Sequence, residues 1–158
     1  MRNPIDNDVV GQTMQKELER VGVPKWDESD TAFARALQKD LKMPEKGLAS
    51  EIIPYGPAHG STASSDIGEV SAAVPLAELN VATRALGTAA HHWATTSCAA
   101  HPLGNKGMLV AAKVLGASIV DLLGDPAAVA AARAEFVKAT KGKPYLSPLP
   151  AGAKPMVF

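Results

Sequence analysis

Apolar side chains near the start of the chain recur at helical spacing. Val10, Met14 and Leu18 stand four apart and Val21 closes the stripe, while Gln12, Lys16 and Glu19 face away. That period predicts an amphipathic helix over 6–21. Asp6 or Asn7 can accept a first-turn N–H, and Gly22 and Pro24 stop the helix. A second helix follows from Asp27, the N-cap candidate, with Glu28 and Asp30 suited to the positive end of the helix dipole. Phe33, Leu37 and Leu41 form its apolar row, and Pro44 and Gly47 terminate it. Each helix has one apolar and one wet face, as expected of helices that cover a core.

The pattern then changes. Residues 54–66 are rich in Pro, Gly, Ser and Thr, with Tyr55 as the one large apolar side chain, and read as a long irregular loop. The alternation in 79–86, stopped by Gly87, predicts a strand. The stretch 105–123 is the most apolar helix. Met108, Ala112, Leu115, Ile119 and Leu122 mark one face, Leu109, Val114, Val120 and Leu123 another, and only Lys106, Lys113 and Asp121 are charged. Such a helix is expected to be packed on most sides, here against the strand carrying Val81 and Thr83. Gly107 and Gly116 each cost roughly 1 kcal/mol against Ala in a helix interior, a loss that close packing is expected to offset. Gly124, Asp125 and Pro126 supply a stop, an N-cap and an N1 proline for a last, Ala-rich helix over 126–141, anchored by Val129, Phe136 and Val137. Pro144, Pro148, Pro150 and Pro155 impose an extended tail. The element order suggests an α/β fold, yet one or two strands make no sheet worth burying. The chain therefore reads as a part that needs partners.

Composition narrows the class. Among 158 residues, 16 Lys+Arg balance 16 Asp+Glu, so the basic surplus of a nucleic-acid binder is missing. A hydrophobic share of 46% against 20% charged residues excludes a disordered tail. No uninterrupted apolar run approaches the roughly 18 residues of a membrane span, and the first residues carry no apolar leader segment. The single cysteine, Cys98, leaves no internal disulfide. The expectation is a cytoplasmic protein with neither nucleic acid nor membrane as partner.

Candidate chemistry centres on the four histidines, His59, His91, His92 and His101, which share one window with Asp66 and Glu69. Imidazole and carboxylate suit Zn²⁺ and related ions, but no His-Glu-x-x-His, His-x-His or Cys pair fixes a site, so solvated loop histidines are the competing reading. Cys98 and His101 lack an evident orienting partner, and a small buried thiol is the plainer reading. There is no nucleophile-elbow motif, and Gly104-Asn105-Lys106-Gly107 lacks the P-loop spacing.

Several motifs, in order, carry a resemblance. Ala63-Ser64-Ser65-Asp66-Ile67-Gly68-Glu69-Val70-Ser71 with Val74-Pro75, then Leu86-Gly87-Thr88-Ala89-Ala90-His91-His92-Trp93, then Leu103-Gly104-Asn105-Lys106-Gly107-Met108 with Ala111-Ala112-Lys113-Val114, resemble signatures of the p-aminobenzoyl-glutamate hydrolase-like amidohydrolases. Val21-Gly22-Val23-Pro24-Lys25-Trp26 and Phe33-Ala34 fit the same pattern. These enzymes belong to the aminoacylase/carboxypeptidase superfamily of metallopeptidases. The resemblance implies the C-terminal portion of a three-layer αβα zinc-peptidase-like catalytic domain, helix-rich with few strands, following the lid domain.

It implies one partial domain, with cover helices in 1–50, site loops and a strand in 51–104, two helices in 105–142 and an extended tail in 143–158. It implies hydrolysis of an amide bond in an aminobenzoyl-glutamate-like, N-acyl amino acid or dipeptide substrate, with Zn or Mn as the divalent metal, in a complete enzyme that is a homo-oligomer. By position His91 matches the last histidine ligand of the metal, and Asp66, His92 and Asn105 fall around the metal or towards the substrate. Here His92 replaces the usual Ser, Asn105 the usual His, Ala72 the usual Trp and Ala89-Ala90 the usual Pro-Gly. The other ligands and the glutamate base of the pattern lie in the half before the lid. This chain alone is therefore expected to be inactive, with the N-terminal catalytic half and lid as its missing partners. A truncated, non-catalytic remnant or interaction module is the alternative.

Overall fold

A computed structural model describes residues 2–56, 66–150 and 152–154. His59, Pro155, the 63–65 part of the first motif and most of the expected 54–66 loop lie outside them. Among the described residues the architecture is all helical: α1 (Asp8–Val21), α2 (Glu28–Asp40), α3 (Ile67–Ser71), α4 (Trp93–Ala100), α5 (Pro102–Gly124) and α6 (Pro126–Thr140).

Local chemistry sets the ends of these helices. The Asn7 side chain caps α1 by accepting from the Val10 N–H, and Gly22, at φ 81°, closes its other end. Asp27 and Asp30 form a reciprocal capping box at the start of α2. Asp125 accepts from the Ala127 and Ala128 N–H groups, both at 3.0 Å, at the start of α6. His101 caps α5 through Nδ1, and Pro102 occupies the first turn. The helix therefore starts earlier than the apolar pattern from Asn105 suggested.

One cluster gathers Ala34 and Leu37 of α2, Leu48, Ala85, Ala94 and Cys98 of α4, and Leu103 of α5, with Trp26, Phe33 and Leu41 against it. Gln38, fully buried, ties the loops to α2: its amide donates to the carbonyls of Gly47 (3.2 Å) and Leu86 (2.9 Å) and accepts from the Gly47 N–H (2.8 Å). α1 packs along α5 and also meets α6. Cys98 is a buried core residue, as its plainer reading had it.

Three expectations are corrected. No strand forms over 79–86: the stretch runs without helix, and among the described residues its one backbone–backbone bond to another segment is from Leu86 N–H to the Gly47 carbonyl at 2.9 Å. β-type alternation becomes a strand only beside a second strand, and among the described residues none is there. The helix expected over 105–123 is not packed on most sides. α5 buries one row, Leu103, Gly104, Gly107, Val110, Val114 and Ser118, against its neighbours, and leaves Met108, Leu109, Leu115, Ile119, Val120 and Leu123 exposed. The periodicity is ambiguous because both faces are apolar, and the small residues Gly104 and Gly107 decide which one can approach other backbone. In α6 the buried anchors are Ala132 and Phe136, while Val129 and Val137 are about half exposed.

The 23 residues of α5 are also long and apolar enough, by length and composition, to cross a membrane. The criterion of an unbroken apolar run does not register this, because Lys106, Lys113 and Asp121 interrupt it. In the fold, the Gly107–Ser118 side of α5 is packed and α1 runs along it.

Candidate functional site

The motif that carries His91 forms the turn before α4. Gly87 takes φ 82°, the Thr88 N–H returns to the Ala85 carbonyl at 3.2 Å, and the Thr95 hydroxyl ties Ala89 to α4 at 2.8 Å. His91 itself sits at φ 56°, in the left-handed region. Two other non-glycine residues share that conformation, Lys42 and Lys141, and both lie where a helix ends, an ordinary place for it. His91 instead precedes a helix. Its side chain is exposed and makes no hydrogen bond to another described residue. An uncommitted imidazole on a backbone held in a sparsely populated conformation is a feature that functional sites concentrate. Nearby, the Thr88 hydroxyl is buried without a hydrogen-bond partner among the described residues.

The other predicted residues have different situations. His92 is committed: its Nδ1 accepts from the Ala94 N–H at 3.2 Å and caps α4. Asp66 stands at the start of α3, exposed, with no capping bond from its side chain. Asn105 is exposed in the first part of α5. Among the described residues no group of three His, Cys, Asp or Glu side chains could hold a metal ion. The donors among the described residues do not fit a closed site, for which Zn²⁺ draws three or four protein ligands.

Sequence reasoning missed two features. The first joins α2 to α5. Asp30, 1% exposed, is met by Lys106 Nζ, which also contacts Asp27 Oδ2 at 2.8 Å. Bonding to the two carboxylates, Asp27 first, raises the Lys106 ammonium above its usual range, and the same ammonium lowers the Asp27 carboxyl. His101 stacks on Phe33 with ring centroids 4.1 Å apart. Its Nδ1 lies 3.8 Å from Asp30 but accepts the Leu103 N–H at 3.3 Å. Lys106 is the ammonium paired with Asp30, while the His101 imidazole caps α5 and stacks on Phe33. The pairing of Lys with the Asp capping box left no signal in the sequence, because the residues are 76 positions apart.

The second is an open groove of about 670 Å³ between the stretches 49–56 and 77–82, floored by Gln15 and Leu18 of α1. At its edge Tyr55 donates its hydroxyl to Asp8 at 2.8 Å and lies over Gly11, where a methyl group would collide with the ring. Partial burial, then the bond to Asp8, pushes the Tyr55 phenol up to about 12. Only the 79–86 wall carried an extended pattern in the sequence; the 49–56 wall, read in part as irregular loop, did not.

No family model matches the chain, and no solved structure matches it. A curated relative does: the chain is 28% identical over 177 residues to a subunit of the p-aminobenzoyl-glutamate hydrolase of Escherichia coli (strain K12). The match takes in 96% of this chain and 37% of the relative, in the relative's C-terminal part. The chain thus spans little more than a third of the length of the curated relative it matches. The similarity bears out the resemblance drawn from the motifs and connects the chain with a hydrolase subunit.

Proposed function

We propose that this chain supplies the C-terminal part of the catalytic domain of a metal-dependent amidohydrolase. The observation that carries the reading is the match to the hydrolase subunit along 96% of the chain. The substrate is an amide of the aminobenzoyl-glutamate, N-acyl amino acid or dipeptide kind, and the metal is Zn or Mn. His91 contributes one imidazole to a site whose remaining ligands come from sequence corresponding to the rest of the relative. Asp66, His92 and Asn105 flank it. His91 is available for that role, since it is exposed and bonds to no described residue. The uncovered apolar face of α5 and the layered αβα arrangement belong to the same reading: α5 and α1 form one helical layer, and the sheet is completed from outside this chain. The complete enzyme is a homo-oligomer of the cytoplasm.

The test is a chimera in which the matched C-terminal part of the Escherichia coli relative is replaced by this chain. With Zn²⁺ or Mn²⁺ added, it is expected to hydrolyse aminobenzoyl-glutamate, whereas the 158-residue chain alone does not. His91→Ala abolishes turnover. His101→Asn, which keeps an oxygen acceptor to cap α5, leaves turnover in place. Turnover by the chain alone, or equal loss from both substitutions, refutes the assignment. A chimera that assembles and binds metal but never turns over supports the remnant reading.

A further inference from the structure

A cavity of about 200 Å³ lies between the end of α3 and the end of α6. Ala72 and Ala73 line it after α3, Phe136 lines it from α6, and Tyr145 from the tail. Small side chains on one wall leave open the space that a larger one would fill. Ala72 is buried, so that space reaches below the surface, and Ala72 stands where the resembled motif carries Trp. Apolar cavities of about 150 Å³ already take one benzene ring, so this one has room for a single substituted ring.

The rim of the cavity is fixed. Carbonyls in the last turn of α6 accept from the N–H groups of Lys141 (3.2 Å), Gly142 (2.9 Å) and Lys143 (3.1 Å), which sets the direction of the tail. Arg2 then tethers the tail: its guanidinium lies 5.5 Å from the Tyr145 ring centroid and donates to the Leu146 carbonyl at 3.0 Å. Little ordering is left for a ligand to impose.

Charge at the cavity is unbalanced. Arg133 and Lys143 line it, and neither pairs with a carboxylate among the described residues. The nearby carboxylates are used elsewhere. Glu135 accepts the Asp8 and Val9 N–H groups at 2.7 and 3.2 Å, and Glu69 pairs with Arg2 at 3.4 Å. The Arg133 guanidinium stands 5.1 Å from the Phe136 ring centroid, so one of the two free cations sits at the aromatic wall. An apolar space the size of one ring, with a guanidinium and an ammonium beside it, selects a planar ring that carries a carboxylate.

We propose that this cavity binds a small aromatic carboxylate, with its ring among Ala72, Phe136 and Tyr145 and its carboxylate held by Arg133 and Lys143. The proposal does not depend on the function proposed above, since neither His91 nor the residues assigned around it line the cavity.

Benzoate titrated into the full 158-residue chain, followed by backbone amide chemical shifts, tests it. Saturable shifts are expected at Ala72, Ala73, Arg133 and Phe136, with a Kd of roughly 1 mM, the range open to a ligand of this size. Benzyl alcohol keeps the ring without the charge, and acetate keeps the charge without the ring. Each is expected to bind at least about fivefold more weakly than benzoate. Arg133→Gln combined with Lys143→Gln lowers benzoate affinity about tenfold and leaves that for benzyl alcohol unchanged. Both side chains are exposed, so this variant folds as the unaltered chain does. Ala72→Trp fills the space with an indole and abolishes the benzoate shifts while the circular dichroism spectrum is kept. Benzyl alcohol or acetate binding as tightly as benzoate overturns the proposal. A folded Ala72→Trp chain that still binds benzoate overturns it too, as do shifts scattered over the surface instead of gathered at the cavity.

Discussion

Gly107 is the position at which the packing of α5 can be tested most directly. A methyl group there would overlap the Ala82 carbonyl oxygen, far inside van der Waals contact, and stand 2.7 Å from Thr83 Cγ2. Backbone cannot swing aside as a long side chain can, so α5 and the 82–83 segment must move apart. Overpacking of this kind costs about 1–3 kcal/mol, and the better helix propensity of Ala returns about 1 kcal/mol. Overlap with backbone rather than with a flexible side chain puts the cost at the upper end of that range, so Gly107→Ala is expected to lose about 2 kcal/mol, which for a domain of this size lowers Tm by roughly 4–8 °C. Gly116 is the control on the same helix, because nothing lies within 4 Å of a methyl group added there. Gly116→Ala keeps the propensity gain, up to about 1 kcal/mol, and raises Tm. Urea unfolding followed by circular dichroism measures both. The reasoning rests on opposite signs: if both variants gain stability, the 82–83 segment does not lie on α5 and the groove wall it forms is misplaced.

Substitutions at two further positions probe the caps and the Asp27–Lys106 contact. Asn7 is buried, caps α1 at 3.1 Å and donates to the Ala132 carbonyl of α6 at 2.9 Å. Asn7→Ala should cost about 2 kcal/mol in urea unfolding, and Asn7→Asp at least as much, because it keeps the cap but sets a buried carboxylate oxygen against the Ala132 carbonyl oxygen. The Asp27 carboxyl is lowered in the fold by Lys106, so its contribution is present above its ordinary value near 3.8 and is lost as pH falls through the lower folded value. Unfolding midpoints measured downward from pH about 5 should fall less steeply in Asp27→Asn than in the unaltered chain. An unchanged slope would mean that Lys106 does not hold this carboxylate.

What the sequence made legible was local. α1, α2 and α6 could be bounded because Asn7, Asp27 and Asp125 announce their starts and Gly22 and Gly124-Asp125-Pro126 their breaks within a turn or two. α4 was missed, since Trp93–Ala100 has no apolar stripe, although His92 ahead of it and His101-Pro102 behind it were usable boundary signals. Which face of α5 is buried was not legible. Both faces are apolar, and the choice is made over long range, by α1 about ninety positions earlier and by the 82–83 segment lying against Gly107. The histidine was picked out by its motif. Its left-handed backbone was not, because Ala90-His91 offers no glycine to announce a positive φ. The Asp30–Lys106 contact and the two-walled groove depend on long-range placement that no periodicity records.

The distribution of burial bears on what the exposed row of α5 is for. The largest fully buried side chains include Gln38, Glu17, Asn7 and Asp30 beside Leu103 and Val114, while Leu123 is 80% exposed and Ile53 81%. These four polar side chains are stable because each is matched: Gln38 to two loops, Glu17 to Arg20 at 2.7 Å, Asn7 to the Val10 N–H and the Ala132 carbonyl, and Asp30 to Lys106 and its own capping box. Nothing comparable compensates the apolar row. Burying a Leu or Ile side chain is worth about 1.5–3 kcal/mol, so Leu109, Leu115, Ile119 and Leu123 hold several kcal/mol that this chain does not itself use. A surface that covers them gains that energy.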